Sequence, residues 1–237
     1  MIQTLVSASA CAEMFSDAPE STMFSVEAAA VANAVAERRR EFGTVRYCAR
    51  RALMRIGVPA VPVLPDGDGA PRWPGGVVGS MTHCAGYRAA AVAQSIDLCG
   101  VGIDAEPHAA VPAAALDLVL RDEERARLLA LTVAYPDLHW DRIVFCAKEA
   151  VYKAWFPLTR LWIDFTDVSM TVHPDGTFRA RLRVLGTRVS GVDLDAFSGR
   201  WMVGRGLVVA ATSVRRNPAA RAALPIGSSR SGKPSRP

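Results

Sequence analysis

At 237 residues, half of them hydrophobic and 22% charged, the chain has the make-up of a globular protein able to bury a sizeable core in one large or two modest domains. Its formal charge of +5 is a poor sign of nucleic-acid binding: residues 214–237 hold six basic and no acidic residues, which leaves 22 basic against 23 acidic in residues 1–213. No apolar run approaches the roughly 18 residues of a membrane span, no Lys or Arg precedes Arg38 to start a secretory signal, and five scattered cysteines without a C-x-x-C pair predict free thiols in a reducing cytoplasm.

Residues 1–25 carry short apolar patches and support no assignment. The alanine-rich run 26–42 reads as a helix stopped by Gly43, and residues 44–56 as a second helix stopped by Gly57, with Arg46 and Arg50 on one face. Five prolines and four glycines between Val58 and Gly76 predict a crossing loop. Residues 77–81 and 88–93 read as strands around a turn at Ala85-Gly86, and 98–106 as a third strand ended by Pro107. A helical region with its solvated part at 121–125 follows, then a long helix over 140–156 closed by Pro157. Strands are predicted over 168–172, 178–184, 201–203 and 207–213, and the Pro/Ser/Gly/Arg-rich segment 214–237 as a disordered basic tail. Helices followed by strands thus occur twice. The order predicts an α+β protein of two similar lobes, residues 1–108 and 109–213.

Two stretches stand out chemically. The chain has only three lysines among 28 basic residues, and two of them, Lys148 and Lys153, flank Glu149 in the segment FCAKEAVYKAWF. An ammonium is a compact point charge that a guanidinium does not replace at a tight site. Glu149 and Lys153 share a helix face opposite a buried stripe of Ile143, Ala147, Ala150, Val151 and Ala154; they are either an ordinary surface ion pair or one wall of a site. In GVGIDAEP, strand alternation puts Asp104 and Glu106 on one face and Val101, Ile103 and Ala105 on the other. Carboxylates two apart on a strand suit Mg²⁺ or Mn²⁺ better than softer metals, although a solvated strand end has the same spacing. Ser80, Thr82 and His83 end a strand, where hydroxyls and imidazole are either structural or a phosphate contact. Arg38 and Arg46 are either solvated helix-surface arginines or further phosphate contacts. Arg179, Arg181 and Arg183 form an exposed basic strand face, either solvated or a dock for an acidic partner. The phosphate-loop, dinucleotide and nucleophile-elbow glycine motifs are absent.

GVGIDAE followed by FCAKEAVYKAW resembles the signature pair of the Sfp/EntD-type 4'-phosphopantetheinyl transferases, and the match is greatest to the actinobacterial PptT-like group. It extends to EFGTVRYCAR, WPGGVVGSMTHCAGYRAA, GIDAEPH, LHWDRIVFCAKEAVYKAWFPLT and SGRW, most of residues 36–213. The resemblance implies a single-chain pseudo-dimer, each lobe a small mostly antiparallel sheet packed with helices, expected to act as a monomer, with coenzyme A bound between its lobes. It implies Mg²⁺ (or Mn²⁺) on Asp104, Glu106, Glu149 and the coenzyme A pyrophosphate, and Arg38, Arg46, His83 and Lys148 on the nucleotide phosphates. Glu149 is then the base for a serine of an apo acyl or peptidyl carrier domain, and Lys153 stabilises or protonates the leaving phosphate. The products are the holo-carrier and adenosine 3',5'-bisphosphate. Relatives often carry a lysine in the loop corresponding to residues 64–71; here LPDGDGAP has none, and Arg72 is the candidate replacement. A non-catalytic coenzyme A-binding protein and a Mg²⁺-dependent phosphohydrolase are the alternatives. Neither nucleic acid nor a membrane is expected as a partner.

Overall fold

The computed structural model describes residues 1–183, 187–189 and 191–216. Strands β1 (Ala10–Met14), β2 (Val77–Cys84) and β3 (Tyr87–Gln94) form an antiparallel sheet in the order β1-β3-β2. Helices α1 (Ser25–Ala30) and α2 (Ala36–Arg55) lie between β1 and β2 in the chain. Strand β4 (Leu98–Pro107) then leads to helices α3 (Ala113–Val119), α4 (Asp122–Ala134) and α5 (Trp140–Thr159). The rest is strand: β5 (Val168–Val172), β6 (Thr177–Leu182), the short pair β7 (Arg188–Val189) and β8 (Val192–Asp193), β9 (Ala196–Gly204) and β10 (Leu207–Arg215). The second sheet is antiparallel, in the order β4-β10-β9-β6-β5. This is the expected α+β architecture, a helix on a small antiparallel sheet, built twice.

The alternation of each strand explains the layers. On one face of the first sheet, Ala90 and Val92 pack with Cys48, Ala49, Ala52 and Leu53 of α2. Residues one position off, Tyr87, Ala89, Ala91 and Ala93, join Val101, Ile103 and Ala105 of β4 and Val209 of β10 in a core common to both sheets. The opposite face of the second sheet receives α5 through Ile143, Ala147, Ala150, Val151 and Ala154, all buried. Asp104 and Glu106 therefore point to the α5 side, because Val101, Ile103 and Ala105 are committed to the shared core.

The sheets meet at β2 and β4, which belong to separate hydrogen-bonded sheets and run parallel. Two hydroxyls take the place of a ladder: Ser80 Oγ accepts from Ile103 N, and Thr82 Oγ1 from Ala105 N, both at 3.1 Å. β4 itself pairs with β10, so the sheets divide the chain before β4, whereas element order drew the line at residue 108.

Other boundaries differ for identifiable reasons. Gly43 does not stop a helix: α2 runs through it, and a Cβ there would stand 2.9 Å from Met23 Sδ, so the glycine admits the Met23 side chain. The helix predicted from residue 26 breaks after Ala30 and restarts at Ala36. Pro157 does not close α5, which continues to Thr159 and ends at Arg160 in the left-handed region (φ 59°). Near a helix end the proline forgoes a single backbone bond. Residues 10–14, unassigned from sequence, are the outer strand β1. The tail boundary also moves, since β10 extends to Arg215 with Val214 buried; residues 217–237 and Val184 lie outside the described residues. Among the described residues no helix is long and apolar enough to cross a membrane.

Candidate active site

The site forms where α5 crosses β4. Glycines in β4 let this happen. A Cβ on Gly102 would lie 1.8 Å from Ala150 O and 2.8 Å from Ala154 N, so the backbones of strand and helix approach to a distance that a side chain forbids. The close crossing brings Lys153 to Asp104: Nζ donates to Oδ1 at 2.7 Å. Lys153 thus bonds a carboxylate of the neighbouring strand in place of the expected helix-surface partner, Glu149. Asp104 Oδ1 also accepts from Thr82 Oγ1 at 3.1 Å. Thr82, bound to Ala105 N and Asp104 and buried, therefore holds Asp104 in place and does not line the cleft.

The three predicted metal carboxylates are neighbours electrostatically. Burial raises the pKa of Glu106 and of Glu149, and the charge of Asp104 adds to both. They do not stand preassembled, however: among the described residues no three His, Cys, Asp or Glu side chains are gathered as a metal-ligand group. Glu106 Oε2 accepts from Arg142 Nη1 at 3.0 Å, and one oxygen of Asp104 accepts from Lys153. The remaining chemistry fits a hard cation. Asp104 Oδ2 is buried without a hydrogen-bond partner, and a divalent ion would satisfy that oxygen while relieving the repulsion on the two glutamates.

Beside this cluster lies a cleft of about 290 Å³. Arg38, Arg46, Ser80, His83 and Lys153 line it, so five of the residues expected to meet phosphate share one cavity. Arg38 Nη1 bonds His83 Nε2 at 2.9 Å, and His83 Nδ1 faces Glu41 at 3.5 Å. Burial, with Arg38 adding, lowers the His83 pKa, which favours a neutral ring accepting from Arg38; Glu41 acts against that shift. Arg46 is pulled down to about 9, chiefly by burial. Its Nε donates to Val63 O at 2.7 Å and its guanidinium stacks on Phe42, 3.1 Å from the ring centroid.

Lys148 is placed otherwise than expected. Its Nζ donates to Glu124 Oε2 (2.7 Å), Val119 O (2.8 Å) and Phe165 O (2.9 Å) within the core of the second half. With three donors on three acceptors and no exposed side chain, it has none left for a phosphate and instead ties α5 to α4 and to the segment before β5. Arg72, the candidate replacement for the missing loop lysine, lines an adjoining groove and not the cleft, while the loop itself contributes Asp68, Gly69, Ala70 and Pro71 to the cleft wall. Asp66 of that loop is bound by Arg160 at 2.5 Å, from the C-terminal end of α5.

The apolar wall is only partly legible in the sequence. Tyr152 and Phe156 line the cleft, whereas Trp155 of the same helix is buried in the core. Trp162, 74% exposed, packs on both Tyr152 and Phe156. It also lines a second cavity of about 200 Å³ that Glu149 and Tyr152 share. Sequence reasoning had no signal for it, since it follows the helix and belongs to no spacing pattern.

Comparison with known proteins accords with this geometry. Residues 26–93 match the family model of the 4'-phosphopantetheinyl transferase N-terminal domain, and residues 100–205 that of the 4'-phosphopantetheinyl transferase superfamily. The chain is 54% identical over 204 residues to the 4'-phosphopantetheinyl transferase Svp of Streptomyces mobaraensis, covering 84% of this chain and 83% of the relative. It is 49% identical over 207 residues to PptT of Mycobacterium tuberculosis (85% and 90%) and 46% identical over 190 residues to Npt of Nocardia iowensis (76% and 84%). With the two signature stretches joined by the Lys153–Asp104 bond and matches spanning both halves, the chain belongs to the 4'-phosphopantetheinyl transferase superfamily and is an enzyme of that class.

Proposed function

We propose that the chain moves the 4'-phosphopantetheine arm of coenzyme A onto a serine of apo carrier domains of fatty-acid, polyketide or nonribosomal peptide synthases. The observation that carries the reading is the meeting of Asp104 and Lys153, 2.7 Å apart, at the end of a cleft lined by Arg38, Arg46 and His83. Phosphoryl transfer asks for positioning and neutralised charge more than for covalent catalysis. A cationic cleft with carboxylates beside it offers both.

Arg38, Arg46 and His83 hold the nucleotide phosphates, with Ser80 in the same wall. Asp104, Glu106 and Glu149 hold Mg²⁺ (or Mn²⁺), which when bound neutralises pyrophosphate charge. Glu149 takes the proton of the carrier serine. A carboxylate in hydrogen-bond reach of the serine hydroxyl, directly or through a water, is what that proton transfer requires. The serine oxygen forms a bond to the phosphorus that carries the pantetheine arm, and the bond from that phosphorus to the oxygen of adenosine 3',5'-bisphosphate breaks. Lys153, whose pKa the neighbouring carboxylates raise against the effect of burial, meets the charge on that leaving oxygen. One chain supplies both the β4 and the α5 side of the site, which suits a monomer, and five free cysteines suit a reducing cytoplasm.

The test is intact mass of apo carrier proteins incubated with coenzyme A, Mg²⁺ and the protein. A mass gain of one phosphopantetheine arm with release of adenosine 3',5'-bisphosphate is expected. Release of a nucleotide product without carrier modification, across several carrier types, would favour hydrolysis and overturn the reading.

A further inference from the structure

The segment that follows β4 is gripped by the first turn of α5. His139 N donates to His108 Nε2 at 3.1 Å, and Val111 N donates to Asp141 Oδ2 at 2.7 Å. Between these two bonds sits Arg142, whose guanidinium spreads over three acceptors: Ala109 O (3.0 Å, from Nε), Ala110 O (3.1 Å, from Nη2) and Glu106 Oε2 (3.0 Å, from Nη1). The fork rests over the Phe145 ring, 5.5 Å from its centroid. An arginine can serve three acceptors in fixed directions because its donors are coplanar; a lysine cannot reproduce the pattern.

The bond matters because of where Glu106 stands. It is a flexible side chain at the end of a strand, and left alone it would sample many rotamers. Arg142 anchors one carboxylate oxygen from a guanidinium that is itself pinned by two main-chain carbonyls, which leaves the other oxygen for a cation. Arg142 also brings a positive charge near the proposed ion, which opposes binding. Both groups are partly solvated, with side chains 14% and 25% exposed, so that repulsion is screened. Loss of an orienting partner behind a metal ligand typically weakens metal affinity about 10–100-fold. Orientation outweighs repulsion.

We propose that Arg142 is a positioning residue for divalent-cation binding, acting through Glu106 by the geometry of its fork and not by its charge. The inference rests on the assignment of Asp104, Glu106 and Glu149 as the cation site. Its test reads binding directly, by electron paramagnetic resonance of free Mn²⁺ titrated into the full chain with saturating coenzyme A and no carrier. Arg142→Ala weakens Mn²⁺ binding about 10–100-fold, and Arg142→Lys, which keeps the charge and loses the fork, weakens it similarly. Coenzyme A affinity in EDTA stays at the wild-type value in both. On a Glu106→Ala background, Arg142→Ala adds less than about twofold, because the path through Glu106 is already cut. Equal weakening in both backgrounds would assign the effect to the gripped segment as a whole and overturn the inference, as would wild-type Mn²⁺ affinity in either single variant. If Arg142→Ala does not fold, the lysine variant carries the same comparison. Failure of the wild-type chain to bind Mn²⁺ would instead bring down the cation site itself.

Discussion

Gly102→Ala tests the idea that the site exists because a strand and a helix touch backbone to backbone. The added methyl would begin 1.8 Å from Ala150 O and 2.8 Å from Ala154 N, both main-chain atoms that no rotamer change can move. Non-bonded carbon contacts relax at about 3.5 Å, so α5 and β4 must part by roughly 1.5 Å at this point. The Lys153–Asp104 bond, 2.7 Å long and one helical turn from the clash, would then open past hydrogen-bonding range. Overpacking of this kind costs about 1–3 kcal/mol of stability, and a displacement of about 1 Å at a reacting group can cost 10²-fold in rate. The assay is turnover of an apo carrier protein together with a thermal melt. Gly102→Ala should lose about 10²-fold in kcat, beyond what its melting temperature explains. Gly100→Ala is the control: its Cβ would meet Leu158 Cδ1 at 3.1 Å and Ala154 O at 3.2 Å, a contact that small shifts can absorb. It should stay within about tenfold of the parent rate, well short of the loss expected of a group moved by 1 Å. Near-parental turnover in Gly102→Ala, or equal damage in both variants, would refute the reasoning.

Three further outcomes are expected. Glu149→Gln should bind coenzyme A as the parent does yet transfer the arm about 10²–10⁴-fold more slowly, the usual worth of a general base; unchanged turnover would remove Glu149 from that role. Asp104→Ala should abolish transfer and leave only weak Mn²⁺ binding, and the parent should be inactive in EDTA; full activity under chelation would contradict the cation assignment. Lys148→Met should lower stability by about 3–5 kcal/mol in urea unfolding, because it strands the buried Glu124 carboxylate. The folded variant should keep its KM for coenzyme A, whereas a raised KM would return Lys148 to the phosphate site.

What the sequence disclosed depended on how local the cause was. The alternation of Val101, Ile103 and Ala105 against Asp104 and Glu106 is a property of ten residues, and it survives in β4 unchanged. Lys148 and Lys153 have the same chemistry and lie one and four residues from Glu149, so nothing local distinguishes them. Their fates are decided by distant partners: Glu124 and two carbonyls claim one, while Asp104 claims the other. Gly43 shows the same limit. A glycine in a helical run reads as a stop, and only the arrival of Met23 reveals that it is a notch. Arg142 and Trp162 carry no spacing signal, because their importance comes from what the fold sets beside them.

The joint between β2 and β4 has a consequence for how the polypeptide can be divided. Every strand of the first sheet ends by Gln94, and every strand of the second begins at Leu98 or later. The sheets are tied across this boundary by Ser80 and Thr82 hydroxyls and by a shared apolar core, and among the described residues no strand passes from one to the other. A chain cut in the turn 95–97 would therefore sever no ladder bond. Each fragment would carry its own sheet and its own long helix, and the pair would present each other with an apolar face and two hydroxyl sockets. The cleft proposed for coenzyme A is in this sense an interface between two subunits that share one chain, and its assembly is open to study as a binding equilibrium.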